Sequence, residues 1–502
     1  MLASVTSATL LGVDGQVVTV EVHLASGLPG YHVVGLPDTA VRESRERVRA
    51  ALQSCALDWP SKRITVNLAP SGIRKTGAGL DLAAAVGVQV ASDQLPAAAL
   101  EGTAVLGEVG LDGTVRHVPG ALALVAAVAR SGCHAVVVPA DDAHEAALVP
   151  GVQVRVARDL AELRACLKGE APWPDQPAPR PPDDPEISGS ELDDPLDLAE
   201  VRGLAWARRA LEVTAAGGHH LLFAGPPGVG KTMLARRLTT IAPPLTDDEA
   251  LEVTRVHSAA GRGATTLIRR PPFRSPHHTA SVAALVGGGS GRPTPGEVTL
   301  SHRGTLFLDE LGEFAPRALD ALRQPLEERA VWIARASSTL RFPADFVLVA
   351  CTNPCPCGLG PPRCCCGDGQ RARYRRRLSA PLLDRFDLRV SVRTPEAADV
   401  PGEASAAVAV RVLAAVERQR DRLRDTPWRR NAHIPAGALQ RLVPLDGPAH
   451  DAWVDEIDAR RLTGRGAARI RRVARTVADL DNHTSVEPDD IALAALLRED
   501  AP

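Results

Sequence analysis

The sequence predicts an α/β protein in three parts, and three observations carry that reading. A proline- and acid-rich break at Ala171–Asp197 divides the chain, aliphatic runs alternate with helical periodicity on both sides of it, and the pattern turns wholly helical from about Glu403. The expected divisions are an N-terminal α/β domain over 1–170, a linker over 171–198, a central three-layer α/β domain over 199–397 and a C-terminal helical lid over 398–502. With 502 residues, 45% hydrophobic and 24% charged, the composition is globular and the chain is too long for one ordinary core. No apolar run reaches the roughly 18 to 20 residues of a membrane helix, and the start, MLASVTSATLLGVDG, lacks the basic region of a signal peptide. A cytoplasmic protein without a membrane partner is therefore expected. A formal net charge of -2 excludes a uniformly basic surface but leaves room for nucleic acid met through local patches.

In the first part, Val17–Leu24, Arg63–Leu68 and Ala135–Pro139 read as strands, and Ala40–Ser54, Leu80–Gln89 and Ala121–Ser131 as helices. The break that follows, APWPDQPAPRPPDDPEISGSELDDPLD, reads as a semi-rigid, extended linker. Beyond it, His220–Ala224 leads into a glycine-rich loop and a helix over Met233–Ile241, while Gly304–Leu308 and Phe346–Ala350 are two more strands of buried type. Such alternation implies a parallel sheet covered on both faces by helices. The last part reads as amphipathic or arginine-rich helices at Ala406–Asp425, Ala449–Leu462 and Ala467–Leu480.

The chemistry is concentrated in the central part. Gly225-Pro226-Pro227-Gly228-Val229-Gly230-Lys231-Thr232 fits G-x-x-x-x-G-K-[ST], after a strand and before a helix, where successive backbone N–H groups can cradle phosphates. Lys231 would neutralise phosphate charge and Thr232 would hold Mg²⁺. The strand ending at Leu308 delivers Asp309 and Glu310 to the carboxyl edge of the sheet, Asp309 to bind Mg²⁺ through water and Glu310 to polarise the attacking water. A third strand ends in Cys351-Thr352-Asn353, which places Asn353 to contact the γ-phosphate or to orient the water. Positive charge for the developing phosphate oxygens is offered by Arg385 in PLLDRFD and Arg465 in LTGRGAAR.

The ordered series GPPGVGKT, TLFLDEL, ACTNP and PLLDRFD resembles an AAA+ ATPase. RSPHHTASVAALVGGG (Arg274–Gly289), PGEVTLSHRGTLFLDELGEF (Pro295–Phe314) and NPCPCG (Asn353–Gly358) closely resemble the ComM/YifB family of magnesium-chelatase-like ATPases. GLPDTAVRESRERVRAAL (Gly35–Leu52), NLAPSGIRKTGAGLDL (Asn67–Leu82) and RRVARTVADL (Arg471–Leu480) are also similar to it, so the resemblance covers nearly the whole chain. It implies a homo-hexameric ring motor that uses ATP and Mg²⁺, binds single-stranded or branched DNA and drives branch migration in homologous recombination and natural transformation, beside recombination proteins. Residue by residue, it implies that Lys231 and Thr232 belong to the first Walker motif and Asp309 and Glu310 to the second. Asn353 is then the first sensor, Arg385 a finger acting in trans, and Arg465 the second sensor, with Arg469 the neighbouring alternative. Leu106–Gly132 resembles the proteolytic domain of Lon protease, in which the nucleophilic serine falls near Gly79 and the catalytic lysine near Leu122. Neither group is present, and a Ser-Lys mechanism needs both. The domain is therefore expected to contact DNA or stabilise the ring.

Six of the nine cysteines lie between Cys351 and Cys366. Cys355, Cys357, Cys364 and Cys366 could supply four thiolates to Zn²⁺, although C-x-C is tighter than the common C-x2-C; the other reading is reduced thiols in a loop. His277-His278 lies in a loop with no thiol or acid nearby in the sequence, so no metal role is expected and a solvated pair competes with a pore or DNA contact. Two basic runs could hold DNA phosphates: Arg371, Arg373, Arg375, Arg376 and Arg377 around Tyr374, and Arg269-Arg270-Pro271-Pro272-Phe273-Arg274. The first could instead pack beside a neighbouring subunit's nucleotide. Two other functions remain open, a magnesium-chelatase-type motor subunit and a protein-remodelling ATPase that ignores DNA.

Overall fold

The computed structural model describes residues 1–75, 77–175, 196–263, 265–289, 293–335, 338–360, 363–394 and 400–498. The larger part of the expected linker, 176–195, and the expected boundary at 397/398 lie outside the described residues.

The N-terminal part is a seven-stranded mixed sheet ordered Gly30–Val34, Arg63–Ala69, Asp14–Ala25, Leu2–Leu11, Thr103–Val105, Ala135–Pro139, Gln153–Ala157. Its centre is a hairpin in which Leu2–Leu11 runs antiparallel to Asp14–Ala25, with Thr6 opposite Thr19. Periodicity alone does not reveal the first strand, because Ser7 and Thr9 are buried where apolar residues would mark the inner face. Helix Asp81–Ala91 covers one face and helix Ala121–Arg130 the other. Both seat closely through glycine: a Cβ on Gly87 would lie 2.6 Å from Val22, and one on Gly15 only 2.2 Å from the Ala123 carbonyl oxygen. The apolar face under Ala121–Arg130 continues into the central part, reaching Val256 and Ala259 of helix Asp247–Ala259. An ion pair from Asp14 to Arg255 at 3.2 Å marks the same seam.

The central part holds five parallel strands ordered Phe273–Arg274, Thr305–Leu308, Val347–Thr352, Leu221–Ala224, Leu388–Ser391. Every residue of Leu221–Ala224 and of Thr305–Leu308 is buried, as strands covered on both faces require. Of the C-terminal helices, Ser405–Leu423 and Gly464–Leu480 pack on helix Ala205–Gly217, while Pro448–Arg460 and Pro488–Leu496 pack on Gly464–Leu480 and on each other. Helix Gly464–Leu480 buries Ile470, Val473, Ala474 and Val477, and its Thr476 hydroxyl lies 2.8 Å from the buried His219 ring, at the amino end of strand Leu221–Ala224. The lid is thus anchored at the edge of the sheet where the central strand begins. No helix among the described residues is long and apolar enough to cross a membrane.

Helix Asp247–Ala259 carries a pH-sensitive anchor. His257 is buried, a ring nitrogen donates to the Leu300 carbonyl at 3.2 Å, and burial pulls its pKa down to about 4. An unfolded chain takes up this proton near pH 6.5, so the stability is fully present above that pH and is lost as pH falls toward 4. The loss from this residue is about 2 kcal/mol at pH 5. Thermal melts between pH 7.5 and 5 should show a shallower decline for His257→Gln, which keeps a donor for Leu300 and takes no proton. An unchanged slope would rule out His257 as its source.

Candidate active site

Strand Leu221–Ala224 ends at Gly225, and the chain then wraps through Gly230 into helix Lys231–Ile241. Gly228 and Gly230 have φ of +80° and +90°, a left-handed backbone that side chains strain. A Cβ at Gly225 would lie 2.3 Å from the Val392 carbonyl oxygen. The loop therefore needs its glycines to bring the N–H groups and the helix N-terminus around one point, which suits an anion. Lys231 is 8% exposed, and its ammonium donates to the carbonyls of Gly225 (2.6 Å) and Pro226 (2.7 Å) and to Asn353 Oδ1 (3.1 Å). Burial lowers its pKa from the usual lysine value, while Asp309 and Glu310 act to keep it charged.

The strand order assembles the rest. Val347–Thr352 lies beside Leu221–Ala224, and Thr305–Leu308 beside Val347–Thr352, so their carboxyl ends deliver Asn353 and Asp309 to the same edge as the loop. The Thr232 hydroxyl donates to Asp309 Oδ2 at 2.7 Å, and Asp309 Oδ1 accepts from the Glu310 N–H at 2.9 Å. Thr232 and Asp309 form the oxygen pair that would hold a hard divalent cation. Glu310 itself has φ +50°, and its carboxylate lies 3.6 Å from His278 Nδ1. The His278 ring lies tilted against His277, with ring centroids 4.1 Å apart, and stands edge-on to Phe314. Sequence spacing gives no sign of this neighbour, because Glu310 is remote along the chain. The two-residue strand Phe273–Arg274, which pairs with Thr305–Leu308, helps bring the histidines across.

The two basic runs are placed differently. Helix Asp368–Arg377 carries the first: Tyr374 is buried against Gly312, where a Cβ would lie 2.5 Å from its ring and hydroxyl atoms, and Arg377 donates to the Gly312 carbonyl at 3.0 Å. Arg371 pairs with Asp368, whereas Arg373, Arg375 and Arg376 are exposed. In the second run Arg269 pairs with Asp247 at 2.5 Å and Arg274 with Glu297 at 2.7 Å.

Arg385, Arg465 and Arg469 gather at the opposite edge of the sheet from Lys231. Arg385 pairs with Glu327 and lies 3.8 Å from Asp384. Arg469 reaches Asp384 at 2.8 Å and Asp387 at 3.5 Å, and the largely exposed Arg465 lies 3.8 Å from Asp384. Asp387 accepts from the His220 N–H at 3.1 Å, which fixes the group to the amino end of the phosphate-loop strand. Burial, and then the like charges of Arg465, Arg469 and Arg323, hold the Arg385 guanidinium below its ordinary value. A cavity of about 190 Å³ opens there, with Arg385, Arg469 and Arg472 in its wall.

Of the remaining expected site residues, Cys355, Cys357, Cys364 and Cys366 converge just after Asn353, with all four sulfurs within 4.8 Å of one another. In the N-terminal sheet, a Cβ on Gly79 would touch Val118 at 3.3 Å. Leu122 is fully buried, its N–H donating to Glu145 at 3.0 Å.

Three family models match the chain: magnesium chelatase subunit ChlI over residues 197–400, subunit ChlI of Mg-chelatase over 20–142, and the ChlI C-terminal model over 402–498. An uncharacterized protein of Mycobacterium tuberculosis is 44% identical over 499 residues, covering 98% of both chains. The uncharacterized protein YifB of Escherichia coli is 41% identical over 490 residues, covering 96% of this chain and 94% of its own. The competence protein ComM of Haemophilus influenzae is 40% identical over 502 residues, covering 98% of this chain and 96% of its own. With identity at this level running nearly end to end, and with an AAA+-type parallel sheet that carries the phosphate loop, the chain belongs to the ComM/YifB family of magnesium-chelatase-like proteins.

Proposed function

We propose that this protein is an ATP-hydrolysing AAA+ motor that assembles as a ring, a homo-hexamer by family resemblance, and acts on DNA as a branch-migration or helicase enzyme in homologous recombination and natural transformation. One observation carries the reading: Lys231, Thr232, Asp309 and Asn353 share one edge of the sheet, while Arg385, Arg465 and Arg469 occupy the other. A protomer that holds phosphate at one edge and presents its arginines at the opposite edge completes its site by a head-to-tail contact, and repetition of that contact makes a ring where the rotation closes.

In this scheme phosphate oxygens take over the Lys231 donors now held by Gly225, Pro226 and Asn353. Thr232 and Asp309 would hold Mg²⁺, which when bound neutralises phosphate charge. Glu310 polarises the attacking water, Asn353 orients it, and His278 fixes the Glu310 carboxylate from behind. Arg385 of one protomer meets the developing charge in the next, with Arg465 and Arg469 beside it.

DNA is the favoured substrate because Arg373, Arg375 and Arg376 are exposed on one helix beside the nucleotide pocket, whereas Arg269 and Arg274 are matched by acids. The name of the Haemophilus relative, a competence protein, agrees with a role in DNA uptake. A chelatase-type metal-insertion subunit and a protein-remodelling ATPase would use the same nucleotide chemistry without calling on those arginines.

Three measurements test the scheme. Lys231→Ala should lose nucleotide binding and Glu310→Gln should bind and stall; His278→Ala should lower kcat by about 10- to 100-fold at nearly unchanged KM, as loss of orientation does. Turnover at the parent rate in Glu310→Gln or His278→Ala would remove that residue from the mechanism.

Arg385→Ala protein, inactive alone, should regain some activity when mixed with Lys231→Ala protein, because mixed rings contain interfaces that join an intact pocket to an intact arginine. Mixed rings that form and stay inactive at every ratio would show that Arg385 does not act in trans.

Fluorescence anisotropy of a forked oligonucleotide, with a non-hydrolysable ATP analogue, should reveal binding that weakens steeply with salt. Substituting Arg373, Arg375 and Arg376 by Gln should flatten the slope of log affinity against log salt by about one unit for each phosphate that is no longer neutralised. Rings that bind no DNA at any salt would favour the protein-remodelling alternative.

A further inference from the structure

We propose that Cys355, Cys357, Cys364 and Cys366 form a tetrahedral zinc site that fastens the arginine helix Asp368–Arg377 to the nucleotide pocket. The geometry is that of four ligands to one ion. Sulfur separations are 3.3 Å for Cys355–Cys357, 3.5 Å for Cys355–Cys364 and 3.9 Å for Cys357–Cys364, and all four sulfurs lie within 4.8 Å of one another. A tetrahedron of thiolates at a Zn–S distance of about 2.3 Å has edges of about 3.8 Å, in the middle of that range. Disulfides need about 2.05 Å between sulfurs, and all nine cysteines are free. A multi-iron cluster spreads its thiolates over several metal atoms and so sets them further apart than this group. Four soft ligands with no carboxylate among them select Zn²⁺ over the Mg²⁺ of the phosphate site.

The tight C-x-C spacing is accommodated because the ligands arrive as two short arms, 355–357 and 364–366, that meet face to face. The Cys357 N–H donates to Cys366 Sγ at 3.4 Å, a backbone-to-sulfur bond of the kind that orients a thiolate ligand, and the Gly358 N–H closes the first arm on the Cys355 carbonyl at 2.9 Å. Cys365 is exposed and stands outside the group. Cys355 is buried and the other three ligands are partly exposed, so the site lies at the surface and within reach of a chelator.

What the metal would hold follows from the chain on either side. Cys355 stands two residues after Asn353, the acceptor for Lys231. Gly358 packs on the phosphate loop so closely that a Cβ there would lie 2.8 Å from Pro227 Cδ. Cys366 immediately precedes Gly367, the N-cap of helix Asp368–Arg377. The ion would therefore tie three things at one point: the end of strand Val347–Thr352, the phosphate loop and the helix that presents Arg373, Arg375 and Arg376. The metal site stands independently of what those arginines bind.

The test uses the full chain, purified under reductant from zinc-supplemented cells. Elemental analysis should give about one zinc per chain, retained in Cys365→Ser and lost in Cys357→Ser and Cys364→Ser. Replacement of zinc by Co²⁺ in the unsubstituted protein should produce the thiolate-to-cobalt charge-transfer bands and tetrahedral d–d bands of a four-sulfur site, which needs no variant to fold. Chelation should raise amide hydrogen exchange over 368–377 while leaving the N-terminal sheet unchanged. A zinc-free protein that takes up no tetrahedral Co²⁺, or loss of metal in Cys365→Ser equal to that in Cys364→Ser, would overturn the site. Unchanged exchange over 368–377 after metal removal would overturn its role as a fastening.

Discussion

Strand Leu221–Ala224 pairs in parallel with Val347–Thr352 on one side and with Leu388–Ser391 on the other, Leu222 lying level with Ala350 and with Arg389. The distances around Lys231 at one end and around Asp387 at the other depend on that pairing. At the carboxyl end it sets Asn353 3.1 Å from Lys231, and through the next strand it sets Asp309 2.7 Å from Thr232. At the amino end it sets Asp387 against the His220 N–H, and with it the chain that leads to Asp384 and Arg385. Because the strand is short and fully buried, slipping its register by one residue would turn buried side chains to the wrong layer and break both ends together. The two edges are thus coupled by a rigid element, which holds the Lys231 loop and the cluster of Arg385, Arg465 and Arg469 in a fixed relation.

The lid is held to that frame by compensated charge as much as by apolar contact. Asp479 is fully buried on helix Gly464–Leu480 and is met by Arg422 at 2.6 Å, by Arg475 at 2.9 Å and by the Asn431 amide at 2.8 Å. Asn431 also donates to Thr476, whose hydroxyl lies against His219. Burying a carboxylate is tolerated only when its oxygens are satisfied in this way, so the network admits one seating of the helix and few others. That seating puts Arg469 beside Asp384 and Asp387. The position of the lid arginines at the amino edge, away from their own phosphate loop, therefore follows from a buried polar network.

Local pattern revealed what depends on local pattern. The phosphate loop, the strands around Asp309 and Asn353, the parallel sheet and the long C-terminal helices were legible because aliphatic runs and motif spacing act over a few residues. Strand Leu2–Leu11 was not, since Ser7 and Thr9 occupy inward positions. Helix Asp247–Ala259 escaped notice although Thr246 and Glu249 form a capping box at its start. At the site, the four cysteines were visible as a group, yet the sequence could not say whether two C-x-C arms meet. His278 beside Glu310, and the gathering of Arg385, Arg465 and Arg469, arise from contacts between strands and helices remote along the chain, which periodicity does not encode.

The N-terminal sheet contributes packing where its positions lack reactive groups. Leu122 is sealed in the core with its N–H on Glu145, and Gly79 leaves little room beside Val118. What the domain does present is the face under helix Ala121–Arg130, which forms one continuous apolar cluster with Val256 and Ala259 and extends to Phe342. That seam covers helix Asp247–Ala259, an element of the central part that would otherwise expose an apolar stripe to water. His257 on the same helix bonds to Leu300, at the end of the short helix Glu297–Leu300 that anchors Arg274 through Glu297. Removing the domain would thus uncover the support beneath strand Phe273–Arg274, which leads to His277 and His278, so its influence on the site is exerted through the surface it buries.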